Sequence, residues 1–166
     1  ICFCVQRMHQ QGVAHLDLKP ENILVDAEKL EVVLCDFDCC FVGNDSFKGP
    51  KNDRSRYYDV ALGKRGTHNY SAPEMNIRGV GYDPFVADMY SLGVVLFILL
   101  TGFFPILDKV TGIIDVEATF SWGGALPCTP LLRGLLDPVP RRRMKMNEVL
   151  RDTWLFPGPV KKMKHE

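Results

Sequence analysis

The sequence predicts a mainly α-helical fold carrying one short β-hairpin, an α+β class, on three observations. An uncharged run, 89-MYSLGVVLFILLTGFFPIL-107, lies between Asp88 and Asp108 and reads as a buried helix. Two short runs rich in Val, Ile and Leu, 23-ILVD-26 and 30-LEVVLC-35, stand a few residues apart like the arms of a hairpin. Both ends of the chain show further helical spacing. With 166 residues, 46% hydrophobic and 24% charged, the chain reads as one globular domain. A chain of this length buries roughly 70% of its unfolded surface, enough for a core.

Taken in order, Ile1, Cys4, Val5 and Met8 recur at helical spacing and stop at Gly12, so residues 1–11 form an amphipathic helix. The segment 15-HLDLKPEN-22 is polar, and Pro20 keeps it out of a helix. The hairpin follows, with strands over 23–26 and 30–35 and a turn over 26–29. Residues 39–73 hold Gly, Pro, Asn, Asp, Ser and six Lys or Arg with little periodicity. A loop of that length is functional or disordered. The apolar run then makes a helix of about fourteen residues, buried on all sides and stopped at Thr101-Gly102. It reaches the ~18-residue threshold for crossing a membrane. Gly102 and Pro105 interrupt it and acids close both ends, so a membrane is not expected. In 129-TPLLRGLL-136, Thr129 is the expected cap and Pro130 the first helical residue. A last short helix fits 146-MNEVLRDTW-154.

The formal net charge is zero, so no global field draws nucleic acid or an anionic membrane. Residues 138–166 hold eight Lys or Arg against three acids, a balance of +5 that leaves −5 on residues 1–137. Such a basic end reads as solvated, and no nucleic-acid partner is expected. The cysteines Cys2, Cys4, Cys35, Cys39, Cys40 and Cys128 fit no paired zinc spacing. They read as reduced thiols of a cytoplasmic or nuclear protein. The start, 1-ICFCVQRMHQ-10, has neither an initiator Met nor a signal-peptide pattern and reads as the beginning of a fragment.

The chemistry gathers around the hairpin. Asp17 lies before its first strand and Asp36 leaves its second, so both carboxylates can face one cleft, with Asn22 between them in sequence. An amide oxygen and a carboxylate suit a hard cation such as Mg²⁺, which retains waters and borrows phosphate oxygens. Asp17 is then free to orient a hydroxyl, and Lys19 to neutralise a phosphate. That division of labour is what phosphoryl transfer requires: positioning and charge stabilisation, with little covalent work. Taken singly, each residue has a plainer reading: a surface ion pair, a turn Asn, a strand-end cap, a helix cap at Asp88.

Five stretches carry a resemblance. The segment 15-HLDLKPEN-22 resembles the catalytic loop of eukaryotic protein kinases, 36-DFD-38 their DFG metal-binding motif, and 66-GTHNYSAPE-74 the end of their activation segment. Likewise 88-DMYSLGVVLFILLTG-102 is similar to the central helix of the family, and 137-DPVPRRR-143 to its DP-x-x-R stretch. Order and spacing agree over residues 1–157, leaving 158–166 as a basic tail.

The resemblance implies a partial kinase domain, its C-terminal lobe, with ATP and Mg²⁺ as cofactors. A serine- or threonine-bearing protein would be its substrate, and a regulatory protein a further partner. Asp17 would accept the hydroxyl proton, Lys19 would meet the γ-phosphate, and Asn22 and Asp36 would hold the metal. Glu21 and Leu24 would line the cofactor side, Leu24 under the adenine, and Glu21 would favour a basic residue upstream of the target hydroxyl. Thr67 would join the peptide ledge to Asp17 and Lys19. His15 and Phe37 would be structural, with His15 a packed core histidine. Glu74 and Arg143 would form a buried ion pair, and Asp88 would hold the catalytic-loop backbone. The Lys in Asp17-Leu18-Lys19 is of the serine/threonine type.

Departures from the family qualify this. The Gly-rich loop and strand lysine of the ATP-binding lobe are not seen, so the chain alone is expected to be inactive. Leu16 stands where Arg is usual, as in the calcium/calmodulin-dependent, myosin light-chain kinase-like group. With Gly63 at the usual acceptor position, this argues against control by an activation-loop phosphate, leaving Ser55, Tyr57 and Tyr58 as acceptors. Asp38 replaces Gly, and a left-handed backbone there would cost about 1 kcal/mol or more. The span between Gly102 and Asp137 is shorter than the family norm. The alternative is a pseudokinase or lone-lobe interaction module without catalysis.

Overall fold

The computed structural model describes residues 1–43, 65–106, 114 and 127–157. The first helix, α1 (Cys2–Gln10), turns one apolar residue fully inward: Val5 packs with Leu18 and Leu34. Gly12, at φ 74°, ends it in a left-handed conformation that glycine adopts without steric cost. The chain then runs into β1 (Val13–Ala14), which pairs antiparallel with β4 (Phe41–Val42) in the register Val13↔Val42 and Ala14↔Phe41. The expected loop over residues 39–73 therefore begins with a strand. Two residues cannot display a period of two, so nothing in the pattern of residues 41–42 marks them as extended.

The hairpin is β2 (Ile23–Asp26) and β3 (Glu31–Leu34), with Leu24 opposite Val33 and Ile23 opposite Leu34. The Asp26 carboxylate closes its turn by accepting from the backbone N–H groups of Glu28 (3.1 Å) and Lys29 (3.0 Å). Strand β3 is shorter than the run 30–35, because Leu30 sits at φ 54° in the turn.

The central helix, α2 (Pro84–Thr101), begins earlier than expected from the uncharged run. Asp83 caps it, accepting from Phe85 N (3.0 Å) and Val86 N (3.2 Å), and Pro84 takes the first turn, where its missing N–H costs nothing. Asp88 therefore lies inside the helix rather than capping it. Gly102, at φ 76°, closes the far end with its N–H on the carbonyl of Ile98 at 2.8 Å. Burial on all sides holds from Ala87 to Val95; Phe85 and Val86 are half-buried, and Leu99 and Leu100 are exposed. The helix is long and apolar enough to cross a membrane, and 61% of it is buried inside the fold.

Helix α3 (Thr129–Leu135) crosses α2 closely at Gly93, where a Cβ would stand 2.8 Å from that of Leu135. Thr129 is not its cap. The chain is already helical at Cys128 (ψ −7°), so Thr129 enters the first turn and its buried hydroxyl has no hydrogen-bond partner among the described residues. Helix α4 is only Met146–Val149, because Asp152 turns the chain by accepting from Trp154 N and Leu155 N. The main core gathers α2 residues Tyr90, Val94 and Phe97 with Leu16, Tyr70, Ala72 and Leu132. Burying a side chain of that size stabilises the fold by about 1.5–3 kcal/mol. The predicted features at Ser55, Tyr57, Tyr58, Gly63 and Asp108, most of the span between Gly102 and Asp137, and the tail 158–166 lie outside the described residues.

Candidate active site

The loop between β1 and β2 is held from beneath by one carboxylate. Asp88 is fully buried in α2 and accepts from the backbone N–H of His15 at 2.7 Å and of Leu16 at 2.8 Å. Its third bond comes from His9 Nε2 at 2.9 Å. Leu16 needs this support because it sits at φ 63°, where an L-residue is strained by roughly 1–2 kcal/mol. Leu16 is itself buried, in the core with Phe41 and Phe85 packed around it.

His15 is fully buried. Its Nε2 lies 3.0 Å from the carbonyl of Cys35, which can only accept, and its Nδ1 receives the N–H of Asp17 at 3.3 Å. That is the arrangement of the Nε2–H tautomer, and it occupies both ring nitrogens in holding backbone. Phe37 packs tilted against the His15 ring, 5.0 Å between centroids at 41°.

Above this base, four predicted residues converge. Asp17 Oδ2 takes the ammonium of Lys19 at 2.7 Å, and Asp17 Oδ1 takes the backbone N–H of Thr67 at 2.7 Å. Lys19 also donates to the Thr67 hydroxyl at 2.9 Å. Asn22 spends its amide hydrogens on Asp17, at 3.0 Å to the carbonyl and 3.3 Å to Oδ2. Burial pushes the Asp17 carboxyl up, but the bonds from Lys19 and Thr67 outweigh it and hold the group below the usual carboxylate value. The hydrogen bond to Asp17 raises Lys19, with Asp36 and Glu21 adding to the shift.

Gly66 allows the ledge to approach so closely. It sits at φ 71°, and a Cβ there would overlap the carbonyl oxygen of Leu16. The ledge continues through Tyr70, whose carbonyl accepts from the buried Ser91 hydroxyl of α2 at 2.9 Å. Beside it lies a cleft of about 510 Å³ lined by His68, Asn69, Ser71, Asn76, Phe104 and Pro105.

Asn22 and Asp36 meet at one end of the hairpin, because the N–H of Cys35 bonds the carbonyl of Asn22 at 3.0 Å. The amide oxygen of Asn22 and the carboxylate of Asp36 accept no hydrogen bond among the described residues, so both are available as hard oxygen donors. No group of three or more His, Cys, Asp or Glu side chains converges among the described residues. An amide oxygen plus one carboxylate fits Mg²⁺ that takes its remaining ligands from phosphate and water. The left-handed residue of the acidic knot is Asp36 (φ 64°), whereas Asp38 has no positive φ. The strain expected at Asp38 is therefore absent: the left-handed position falls at Asp36, just before the turn closed by Cys40 N on the Phe37 carbonyl.

Leu24 stands apart from this network, exposed on the hairpin face it shares with its cross-strand partner Val33. Glu21 is exposed beside Lys19 and Tyr70, acting on both only through its charge. Farther off, Arg143 and Glu74 form a buried two-pronged pair at 2.6 Å and 2.9 Å. Arg143 also donates to the carbonyls of Val86 (2.9 Å) and Asp137 (3.0 Å), and its guanidinium lies 5.1 Å from the Tyr90 ring centroid. The pair ties the end of the 65–76 segment to α2. Sequence reasoning missed two contributors, His9 and Arg65. A His six residues before His15 on a helix that faces Asp88 is the only signal for the first; Arg65, donating to the carbonyls of Cys39 and Cys40, left none.

Comparison with known proteins agrees with these motifs. Residues 1–155 match the family model described as protein kinase domain. The chain is 35% identical over 159 residues to CBL-interacting protein kinase 32 of Oryza sativa subsp. japonica, covering 93% of this chain and 34% of that protein. It is 36% identical over 151 residues to CBL-interacting serine/threonine-protein kinase 16 of Arabidopsis thaliana, covering 88% of this chain and 31% of that one. The chain thus spans about a third of the length of the curated relatives it matches.

Proposed function

The chain belongs to the protein kinase domain family, and on that premise we propose that it is the C-terminal lobe of a serine/threonine kinase. Such an enzyme transfers the γ-phosphate of ATP to Ser or Thr hydroxyls of a protein. The observation that carries the reading is the single network joining Asp17, Lys19, Asn22 and Thr67 at 2.7–3.3 Å. Thr67 and Lys19 orient the Asp17 carboxylate, which accepts the proton of the attacking hydroxyl as that oxygen bonds to the γ-phosphorus and the bond to ADP breaks. With its carboxyl held below the usual value, Asp17 is ionised at neutral pH and so ready to accept. Lys19, already against Asp17, brings positive charge to the transferred group. Asn22 and Asp36 would hold Mg²⁺, which neutralises charge on the phosphate oxygens.

The exposed cross-strand pair Leu24 and Val33, on one face of the hairpin, supports the lobe assignment. It is an apolar surface suited to the adenine and to a covering ATP-binding lobe. On this reading the isolated chain transfers no phosphate. The buried, uncharged Leu16 supports a catalytic loop of the calcium/calmodulin-dependent type, and the names of the relatives support a regulatory protein partner. Six free cysteines favour a cytoplasmic or nuclear setting.

The test is the full-length protein with Mg-ATP and a Ser/Thr peptide library. Transfer is expected and should fall about 10²–10⁴-fold in Asp17→Asn, the span of a lost general base. Binding of Mg-ATP without transfer to any peptide would overturn the catalytic reading and leave an interaction module, as would an Asp17→Asn protein of unchanged rate.

A further inference from the structure

One side chain holds the two ends of the long segment together. Nη1 of Arg65 donates to the carbonyls of Cys39 and Cys40, at 3.3 Å each. Cys39 and Cys40 come just after the acidic turn at Asp36, whereas Arg65 directly precedes Gly66 and Thr67. Among the described residues, no other hydrogen bond joins residues 37–43 to residues 65–71. The contact therefore bridges the metal-facing turn and the ledge whose N–H reaches Asp17 at 2.7 Å.

The chemistry suits a brace. A guanidinium stays protonated, and two hydrogens on one terminal nitrogen fork naturally between neighbouring carbonyls; an ammonium is a point charge on a flexible stem. Arg65 is half-buried, and its charge acts on Tyr82, whose buried hydroxyl has no hydrogen-bond partner among the described residues. The position also demands accuracy. Gly66 lies against the Leu16 carbonyl with no room for a Cβ, so a small shift of the ledge would move Thr67 off Asp17.

We propose that Arg65 is a positioning residue, a side-chain brace that keeps the Thr67 ledge in register with the acidic turn and so sets Thr67 on Asp17. Its consequence for catalysis rests on the kinase reading above; its structural part does not.

The experiment compares full-length wild type, Arg65→Met and Arg65→Lys by amide hydrogen exchange and by steady-state kinetics. In Arg65→Met, amides of residues 37–43 and 65–71 should exchange faster together, by about tenfold or more as befits a lost charge-assisted bond, while α2 amides keep their protection. The kcat/KM for a peptide substrate should fall about tenfold or more, chiefly through KM of the peptide, with KM for ATP unchanged and Arg65→Lys intermediate. Faster exchange in only one segment, or in neither, overturns the brace. So does an Arg65→Lys protein no better than Arg65→Met. Should Arg65→Met lose α2 protection as well, Arg65→Lys decides: faster exchange confined to the two segments supports the brace, and unchanged exchange overturns it. A wild type without phosphoryl transfer would remove the kinase reading alone, since the exchange comparison still decides the brace.

Discussion

Replacing Asp88 by Asn should release the catalytic loop, because the carboxylate serves two neighbouring backbone donors at once. His15 N and Leu16 N reach its two oxygens at 2.7 Å and 2.8 Å in full burial, and His9 adds a third bond. An Asn side chain keeps one oxygen for one donor and turns an NH₂ towards the other. The lost charge-assisted bond costs about 1.5–3 kcal/mol, and the buried donor left without an acceptor about 1–3 kcal/mol. Once unclamped, Leu16 relaxes from φ 63° and returns about 1–2 kcal/mol of strain. The net expectation is a loss of about 3 kcal/mol in local stability. Amide exchange at His15 and Leu16 in the full-length protein should then accelerate by about two orders of magnitude, since each 1.4 kcal/mol is tenfold. A stability change below about 1 kcal/mol with unaltered exchange at Leu16 would refute the clamp.

Glu74→Gln leaves Arg143 buried without its carboxylate, which should cost about 3–5 kcal/mol, read as a lowered thermal midpoint. Gly66→Ala forces a Cβ against the Leu16 carbonyl at φ 71°, so peptide phosphorylation should fall while ATP binding persists, checked by nucleotide titration beside the kinetic assay. The pH dependence follows from Asp17, whose folded carboxyl lies below its ordinary 3.8. A depressed carboxyl contributes stability that is fully present above 3.8 and lost as pH falls through the lower folded value. Urea midpoints of wild type and Asp17→Asn should therefore converge below pH 3.8, and a constant gap down to the acid end would contradict the shift.

How much of this was legible depended on range. Asp17, Lys19 and Asn22 lie within six residues, so their convergence follows from a Pro-stiffened turn, and Thr67 came with the stretch that ends at Glu74. The β1–β4 pair was not legible, because two residues at each side carry no alternation and the pairing is set by Gly12 meeting Gly43 at 2.8 Å. The true start of α2 had a signal in Asp83-Pro84, a cap followed by a residue suited to the first turn, which the length of the uncharged run overshadowed. The left-handed angle fell on Asp36 rather than on Asp38, two residues on, and which residue of a short turn takes it is a matter of tertiary packing that the sequence does not show. His9 and Arg65 act on partners far away in sequence, beyond the reach of any local pattern.

The carboxylate that steadies the loop from beneath lies seventy-odd residues downstream of it, with separations of 73 and 72 for His15 and Leu16. During synthesis, at about 5–20 residues per second, the loop leaves the ribosome roughly 4–15 s before Asp88 follows. Arg143 in turn trails its partner Glu74 by 69 residues. A nascent chain thus displays 15-HLDLKPEN-22 well before Asp88 can hold it in shape, and the chemistry of the site waits on residues made after it.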